Sequence, residues 1–353
     1  MSPCYPTQSA DELKTTFQSL GLVTKSDSML PALRQASRAA SVSDVTVLID
    51  GETGTGKQVL ARAIHKLDQK RGAFPFITAH CSTIGESLAE SELFGHHKGA
   101  FTGAVADRPG LFLAAQSGTL FLDDVNDLPL CVQPKLLDVM QRGMLRPVGS
   151  DREIAVSVRV IAACNQPLPP LVSQGRFRSD LYHRLNVIRI GLPPLRERPD
   201  DLESLVLAFA WRYRHVYSPV LRVEAQLVEQ LQSQAFGGNV RELENLVLRM
   251  LFEKNGGTSL SLADWFAQGR EDSPGIPQDL VWEAAEKVWK TISERRLPYA
   301  KAIRQLEKQV IETALKAGGL TRRDVAKRLQ MSERTLYHKM RAHHLGERSD
   351  AAD

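Results

Sequence analysis

The stretch VTVLIDGETGTGKQ, Val45 to Gln58, decides the fold. It opens on an apolar, β-branched run, Val45–Ile49, of the kind that makes a buried strand. The run leads into Gly51, Glu52, Thr53, Gly54, Thr55, Gly56 and Lys57, and a helical period follows with Leu60, Ala63, Ile64 and Leu67 on one face. Strand, glycine-rich turn and helix in that order have the architecture of a P-loop. Glycines let successive backbone N–H groups turn inward on phosphates, the helix N-terminus adds positive potential, and Lys57 reaches the β- and γ-phosphates. Gln58 departs from the general pattern, which has a Ser or Thr hydroxyl for Mg²⁺ there. The metal is therefore expected to rely on phosphates, water and a later acid.

That acid comes about 66 residues after Lys57, where the apolar run TLFLD (119–123) ends in Asp123, suited to a Mg²⁺ shell, with Asp124 suited to orienting an attacking water. A third run, VSVRVIAAC (156–164), leads to Asn165, either a polar sensor beside a γ-phosphate or a plain strand-end turn. Apolar runs alternating with helical periods from about Leu22 to Phe252 predict an α/β domain with a mostly parallel sheet. In GRFRSDLYHRLN, Arg178 and Arg184 stand six apart. Two readings are open for them: an ion pair with Asp180, or arginine fingers contributed to a neighbour's nucleotide. GGNVRELENLVLRM (237–250) starts a helix that carries Arg241.

Composition narrows the class. No run of about 18 apolar residues occurs, so no membrane span is expected, and the first residues lack a signal-peptide pattern. Cys4, Cys81, Cys131 and Cys164 have no metal-site spacing, which suits reduced thiols in a cytoplasmic protein. The net charge of +4 conceals an asymmetry: Arg295 to His344 holds 13 Lys/Arg against 4 Asp/Glu. A basic end on a slightly acidic body points to a polyanion partner.

That end reads as three short helices. Leu306–Ala317 stops at two glycines, Thr321 with Asp324 caps a second helix with Val325, Ala326 and Leu329 inward, and Ser332 caps a third with Leu336 and Met340 inward. This is a helix-turn-helix with a basic recognition helix. Arg322, Arg323, Lys327 and Arg328 suit phosphates; Arg334, Thr335 and His338 are candidates for base edges, with Lys339 and Arg341 also outward. Between the P-loop and Asp123 lies GHHKGAFTGAVADRPG, Gly95 to Gly110, too loose for a core segment and too apolar for an idle loop.

Together these residues resemble the AAA+ domain of bacterial enhancer-binding proteins, the ATPases that activate sigma-54 RNA polymerase. ESELFGHHKGAFTGA carries the most specific part of the likeness, and the basic end resembles the Fis-type DNA-binding domain. The resemblance implies a P-loop AAA+ fold with a parallel sheet and a small helical lid, followed by an all-α helix-turn-helix. It implies ATP and Mg²⁺, with phosphates on Gly51–Lys57 and Gln58 beside them, the metal on Asp123, Asn165 as sensor, and Arg241 sensing nucleotide from the lid. Arg178 and Arg184 would reach an adjacent subunit's site in a ring, usually a hexamer. Gly99, Ala100, Phe101, Thr102, Gly103 and Ala104 would touch sigma-54, with Phe101 and Thr102 as the tip.

Three positions depart from the family: Asp124 where Glu is usual, His80 where Asn is usual, and Gln58 for a customary Glu. A misplacement of about 1 Å can cost on the order of 10²-fold in rate. Since imidazole reaches farther than an amide, His80 is expected to compensate for the short Asp124. The expected organisation is a tail over 1–21, the ATPase domain over 22–253 with its lid from about 195, a linker over 254–300 and the helix-turn-helix over 301–345. The short tail leaves no room for a receiver domain, so a trans-acting regulator, co-assembly with a relative or expression level is expected to control it. The expected function is to bind enhancer DNA and remodel sigma-54 polymerase with ATP. The rival is a DNA-binding regulator that binds ATP for assembly, turns it over poorly and ignores sigma-54.

Overall fold

The structure, a computed structural model, describes residues 9–215, 220–254, 257–268, 299–316, 321–328, 333–342 and 345. They fall into two compact units that divide at Gly269 and Arg270.

The larger unit is built on a parallel sheet. Its strands are β1 (Val47–Asp50), β2 (Phe76–His80), β5 (Thr119–Asp123), β8 (Arg159–Cys164) and β9 (Ile188–Gly191), in the spatial order β2-β5-β8-β1-β9. A parallel sheet is covered on both faces, which is why its central strands are apolar throughout rather than alternating. Side chains still alternate between two cores. Leu48, Leu120, Leu122, Val160 and Ala162 pack with Phe94, Phe112 and Leu136 on one face. Val47, Ile49, Phe121, Ile161 and Ala163 pack on the other face with the helices α1 (Ala10–Ser19), α2 (Leu30–Ala40) and α3 (Lys57–Leu67).

Helix α1 corrects the reading of 1–21 as a plain tail. Ser9 and Glu12 form a capping box, and the helix buries Leu13 and Phe17. After α4 (Glu86–Phe94) the chain makes a hairpin from β3 (Gly95–His96) and β4 (Arg108–Pro109), then α5 (Leu111–Ala114). A second hairpin, β6 (Met144–Leu145) with β7 (Ile154–Ala155), follows α6 (Gln133–Arg142), and α7 (Leu168–Ser173) and α8 (Ser179–Leu185) precede β9.

The lid comprises α9 (Asp201–Arg212), β10 (Arg222–Val223), α10 (Ala225–Gln232), α11 (Asn239–Glu253), β11 (Ser259–Leu260) and α12 (Leu262–Gln268) around Phe209, Leu227, Leu243 and Val247. Residues 259–268 thus fold where a linker was expected, because Leu260 is buried and Trp265 packs against the lid core. Of the rest of that segment, 255–256 and 269–298 lie outside the described residues, and Tyr299 already opens a helix.

In the smaller unit, helices Tyr299–Lys316, Arg322–Arg328 and Glu333–Ala342 bury Ile311, Val325, Ala326, Leu336 and Met340. The expected cap is present: the Asp324 N–H donates to Thr321 Oγ1 and the Thr321 N–H to Asp324 Oδ2.

Candidate functional site

In a parallel sheet the crevice beyond the carboxyl ends of the strands is where ligands bind. Three strand tips meet there. Asp50 leads from β1 into the glycine loop, Asp123 ends β5, and Asn165 follows β8. His80 ends β2 and is the register partner of Asp123.

The loop fits a phosphate group. Gly54 and Gly56 have φ of +80° and +106°, which suit residues without a Cβ, and helix α3 starts without a side-chain cap. The first-turn N–H groups of α3 are therefore left for an anion. Lys57 is buried, and its Nζ donates to Gly51 O at 2.8 Å and Glu52 O at 3.1 Å. Burial pushes its pKa down, while Asp124 and Asp123 oppose that shift. Thr55 closes the turn with a bond to Glu52 O, Thr53 is exposed, and Gln58 is half-buried on α3. Arg241 is near enough for its charge to disfavour protonated Lys57.

The acids are paired differently from expectation. His80 Nδ1 stands 3.4 Å from Asp123 Oδ2, whereas Asp124 Oδ1 accepts from Asn165 Nδ2 at 3.0 Å. His80 thus faces the first acid and not the second. Burial, then the neighbouring Asp124, raises the pKa of Asp123; His80 and Lys57 act against this. Asp124 adopts φ +51°, ψ +53°, a left-handed conformation that Asp tolerates better than most residues. The described residues contain no cluster of three metal-ligating side chains. A single carboxylate suits Mg²⁺, which binds through one or two carboxylates plus phosphate oxygens and water.

Arg178 caps the start of α8 and Arg184 stands in its last turn, and both are exposed. Arg178 pairs with Asp180 at 2.7 Å, and Arg184 Nη2 donates to Met140 O at 2.8 Å.

The segment 99–104 forms the turn of the β3–β4 hairpin. Gly99 and Gly103 have φ of +81° and +104° with open space where a Cβ would stand. The Gly99 N–H donates to Ala104 O across the turn, and Ala104 is buried while Thr102 is exposed. Phe101 is 37% exposed and not wholly projecting: its ring meets His96 edge-on at 5.0 Å. Ser91 Oγ holds His96 Nδ1 at 2.6 Å. The second hairpin braces the first, with Gly149 against Ala100.

Sequence reasoning missed the residues behind the glycine loop: Asn239, Arg196 and Arg198 all bond to it. The Gly-Asn start of α11 was the available signal.

In the smaller unit, Arg323 and Arg341 are exposed. Lys339, expected outward, is engaged by Glu307. The side chains of Arg322, Lys327, Arg328, Arg334, Thr335 and His338 lie outside the described residues.

Three family models match the chain. They are a sigma-54 interaction domain over 22–191, an AAA+ ATPase lid domain over 196–275, and the bacterial regulatory protein, Fis family, over 302–352. Regulatory protein AtoC of Escherichia coli (strain K12) is 37% identical over 329 residues, 93% of this chain and 68% of AtoC. The transcriptional activator HyfR of the same strain is 46% identical over 256 residues, 72% of this chain and 38% of HyfR. The Nif-specific regulatory protein of Klebsiella pneumoniae is 40% identical, covering 87% of this chain and 58% of its own length. This chain therefore spans well under two thirds of HyfR and of the Klebsiella protein. Among solved structures, NtrX from Brucella abortus in complex with ATP aligns with a TM-score of 0.62 at 27% identity, over 91% of this chain and 69% of NtrX. Domain order, site geometry and these likenesses agree: the chain belongs to the sigma-54-dependent transcriptional regulators, with an AAA+ domain, its lid and a Fis-type helix-turn-helix.

Proposed function

We propose that this protein assembles into a ring, hydrolyses ATP with Mg²⁺, and uses residues 99–104 to remodel sigma-54 polymerase while the helix-turn-helix holds enhancer DNA. The observation that carries this reading is the joint presence of two intact parts on one domain. A glycine cradle with a buried Lys57 stands beside an acid pair, and the loop Gly99–Ala104 offers an exposed aromatic on a glycine-hinged turn.

ATP hydrolysis would supply the free energy for the remodelling. Lys57 would neutralise the terminal phosphate, and Asp123, in contact with His80, would hold the Mg²⁺. Asp124 orients the attacking water, and Asn165 fixes that carboxylate. Arg241 senses nucleotide from the lid, and Arg178 and Arg184 serve the adjacent copy. Gly99 and Gly103 are the hinges about which Phe101 and Thr102 leave the His96 ring to meet the polymerase. Cytoplasmic residence follows from these partners; among the described residues no helix is long and apolar enough to cross a membrane.

The test is open-complex formation on a duplex promoter by sigma-54 holoenzyme. Wild type with hydrolysable ATP should open the promoter, whereas K57A or ATP omission should not. Opening without hydrolysable ATP sinks the reading.

One observation favours a second reading, a DNA-bound regulator that binds ATP but turns it over slowly. Both acids are already engaged, Asp124 by Asn165 and Asp123 by His80. A steady-state ATPase rate near background in wild type, with tight nucleotide binding, selects it.

A further inference from the structure

Asn239 opens α11 with no exposure to solvent and with φ +54°. Asn is among the few non-glycine residues that tolerate such a backbone. Its side chain reaches two other stretches of chain. Oδ1 accepts the Leu195 N–H at 2.8 Å, at the hinge into the lid. Nδ2 donates to Thr53 O at 3.0 Å and Glu52 Oε2 at 3.1 Å, both in the glycine loop.

The Glu52 carboxylate is taken up a second time. Arg196 grips it with two donors, Nη2 on Oε1 at 2.6 Å and Nη1 on Oε2 at 2.8 Å. These contacts hold Glu52 well below the usual carboxylate range, at about 2, with the Arg196 bond first and the Asn239 bond second. Further along, the Val240 N–H donates to Gly54 O at 3.0 Å, and Arg198 Nη2 to Thr55 O at 2.7 Å. Three consecutive carbonyls of the loop, on Thr53, Gly54 and Thr55, are therefore anchored to the lid or its hinge. Approach is close: a Cβ on Gly54 would lie 2.2 Å from Gly238 O.

A trans peptide is planar, with its C=O and N–H pointing opposite ways. Anchoring Thr53 O and Thr55 O toward the lid therefore turns the Gly54 and Gly56 N–H groups toward the cradle. We infer that Asn239, with Glu52 and Arg196, is a clasp by which the lid sets the shape of the phosphate loop. On this inference the Glu52 side chain serves the lid, while only its backbone belongs to the nucleotide side. The inference rests on the nucleotide reading above and adds positioning residues to it. The Arg196 pair is about half exposed and screened by salt, so it contributes little alone. The buried amide dominates, because breaking it strands partners away from water.

The test reverses donor and acceptor. In N239D one carboxylate oxygen still accepts from the Leu195 N–H, but the other confronts Thr53 O and the Glu52 carboxylate, so the clasp opens while the hinge bond stays. Adding E52Q restores a donor across the gap. Full-length protein is titrated with a fluorescent ATP analogue, and hydrogen exchange of the α9–α11 amides is followed without nucleotide. N239D should weaken analogue binding about tenfold and speed lid exchange. E52Q alone keeps an acceptor for Asn239 Nδ2 and loses only the half-exposed ion pair with Arg196, so it should weaken analogue binding less than N239D does. N239D/E52Q should regain the part of the loss due to the Glu52 carboxylate, while Thr53 O still faces an oxygen, a non-additive result. Wild-type behaviour of N239D, or a double variant that simply sums the singles, overturns the clasp. If wild type binds the analogue no better than K57A does, the nucleotide reading fails, and lid exchange still decides the clasp.

Discussion

Asn165 Nδ2 donates to Asp124 Oδ1 at 3.0 Å, joining the tip of β8 to the turn after β5. His80, one strand further out, meets Asp123 instead. The side chain in contact with the short Asp124 is therefore that of Asn165, which makes Asn165, ahead of His80, the residue expected to compensate for it. In steady-state ATPase assays N165A and D124E should be strongly non-additive, whereas H80N and D124E should approach additivity. D124N should lower turnover by about 10²-fold. D124E alone should bring little gain, because Glu carries a penalty of roughly 1 kcal/mol or more in the left-handed conformation held here. Additive N165A and D124E effects would return the compensating role to His80.

A second prediction concerns stability. Arg159 and Asp68 form a fully buried ion pair at 2.7 Å. Burial opposes the Asp68 charge, but the Ser43 and Arg159 hydrogen bonds outweigh it and the pKa falls below 3.8. A depressed carboxylate stabilises the fold above its unfolded pKa, and that stability is lost as pH falls through the folded value. Thermal unfolding of wild type should therefore drop steeply below about pH 4. R159M should cost about 3–5 kcal/mol at neutral pH, because it strands a buried charge. D68N/R159M should recover part of that loss in denaturant melts.

The braced loop offers a third. Gly149 has φ +75°, and a Cβ there would stand 2.6 Å from Ala100 Cβ. G149A should displace residues 99–104 at a strain cost of about 1 kcal/mol, with ATPase within about twofold of wild type. Binding of sigma-54 in the presence of a transition-state mimic of ATP should fall. Unchanged binding would show that the second hairpin does not brace the loop.

The DNA unit gives a fourth. Arg341 is exposed on the last helix. If it meets a phosphate, R341A should weaken binding to specific and unrelated duplexes alike and reduce the salt slope of log K by roughly one. Loss on one sequence only would make it a base contact.

The sheet and the glycine loop were legible because their signals are local: β-branched runs, then glycine, then a helical period with Lys57. Both hairpin glycines were legible for the same reason. The partners of the two acids were not, since pairing His80 with Asp123 requires knowing that β2 and β5 are neighbours in register. Asn239 was hidden by distance, because its amide finds Glu52 and Thr53 nearly 190 positions back. Residues 259–268 resembled a linker because Gly and Ser surround them, while the ties to the lid are non-local: Leu260 and Trp265 pack on its core, β11 pairs with β10, and Lys254 meets Asp264.

Helix α1 has a practical bearing. The sigma-54 interaction match opens at residue 22, yet Leu13 and Phe17 lie before it and plug the same core as Met29 and Leu33. A recombinant ATPase fragment begun at Leu22 would leave an oily socket on its flank, forfeiting about 1.5–3 kcal/mol for each missing plug. Fragments cut upstream of Ser9 keep the cap and the seal, and are the ones to carry into biochemical work.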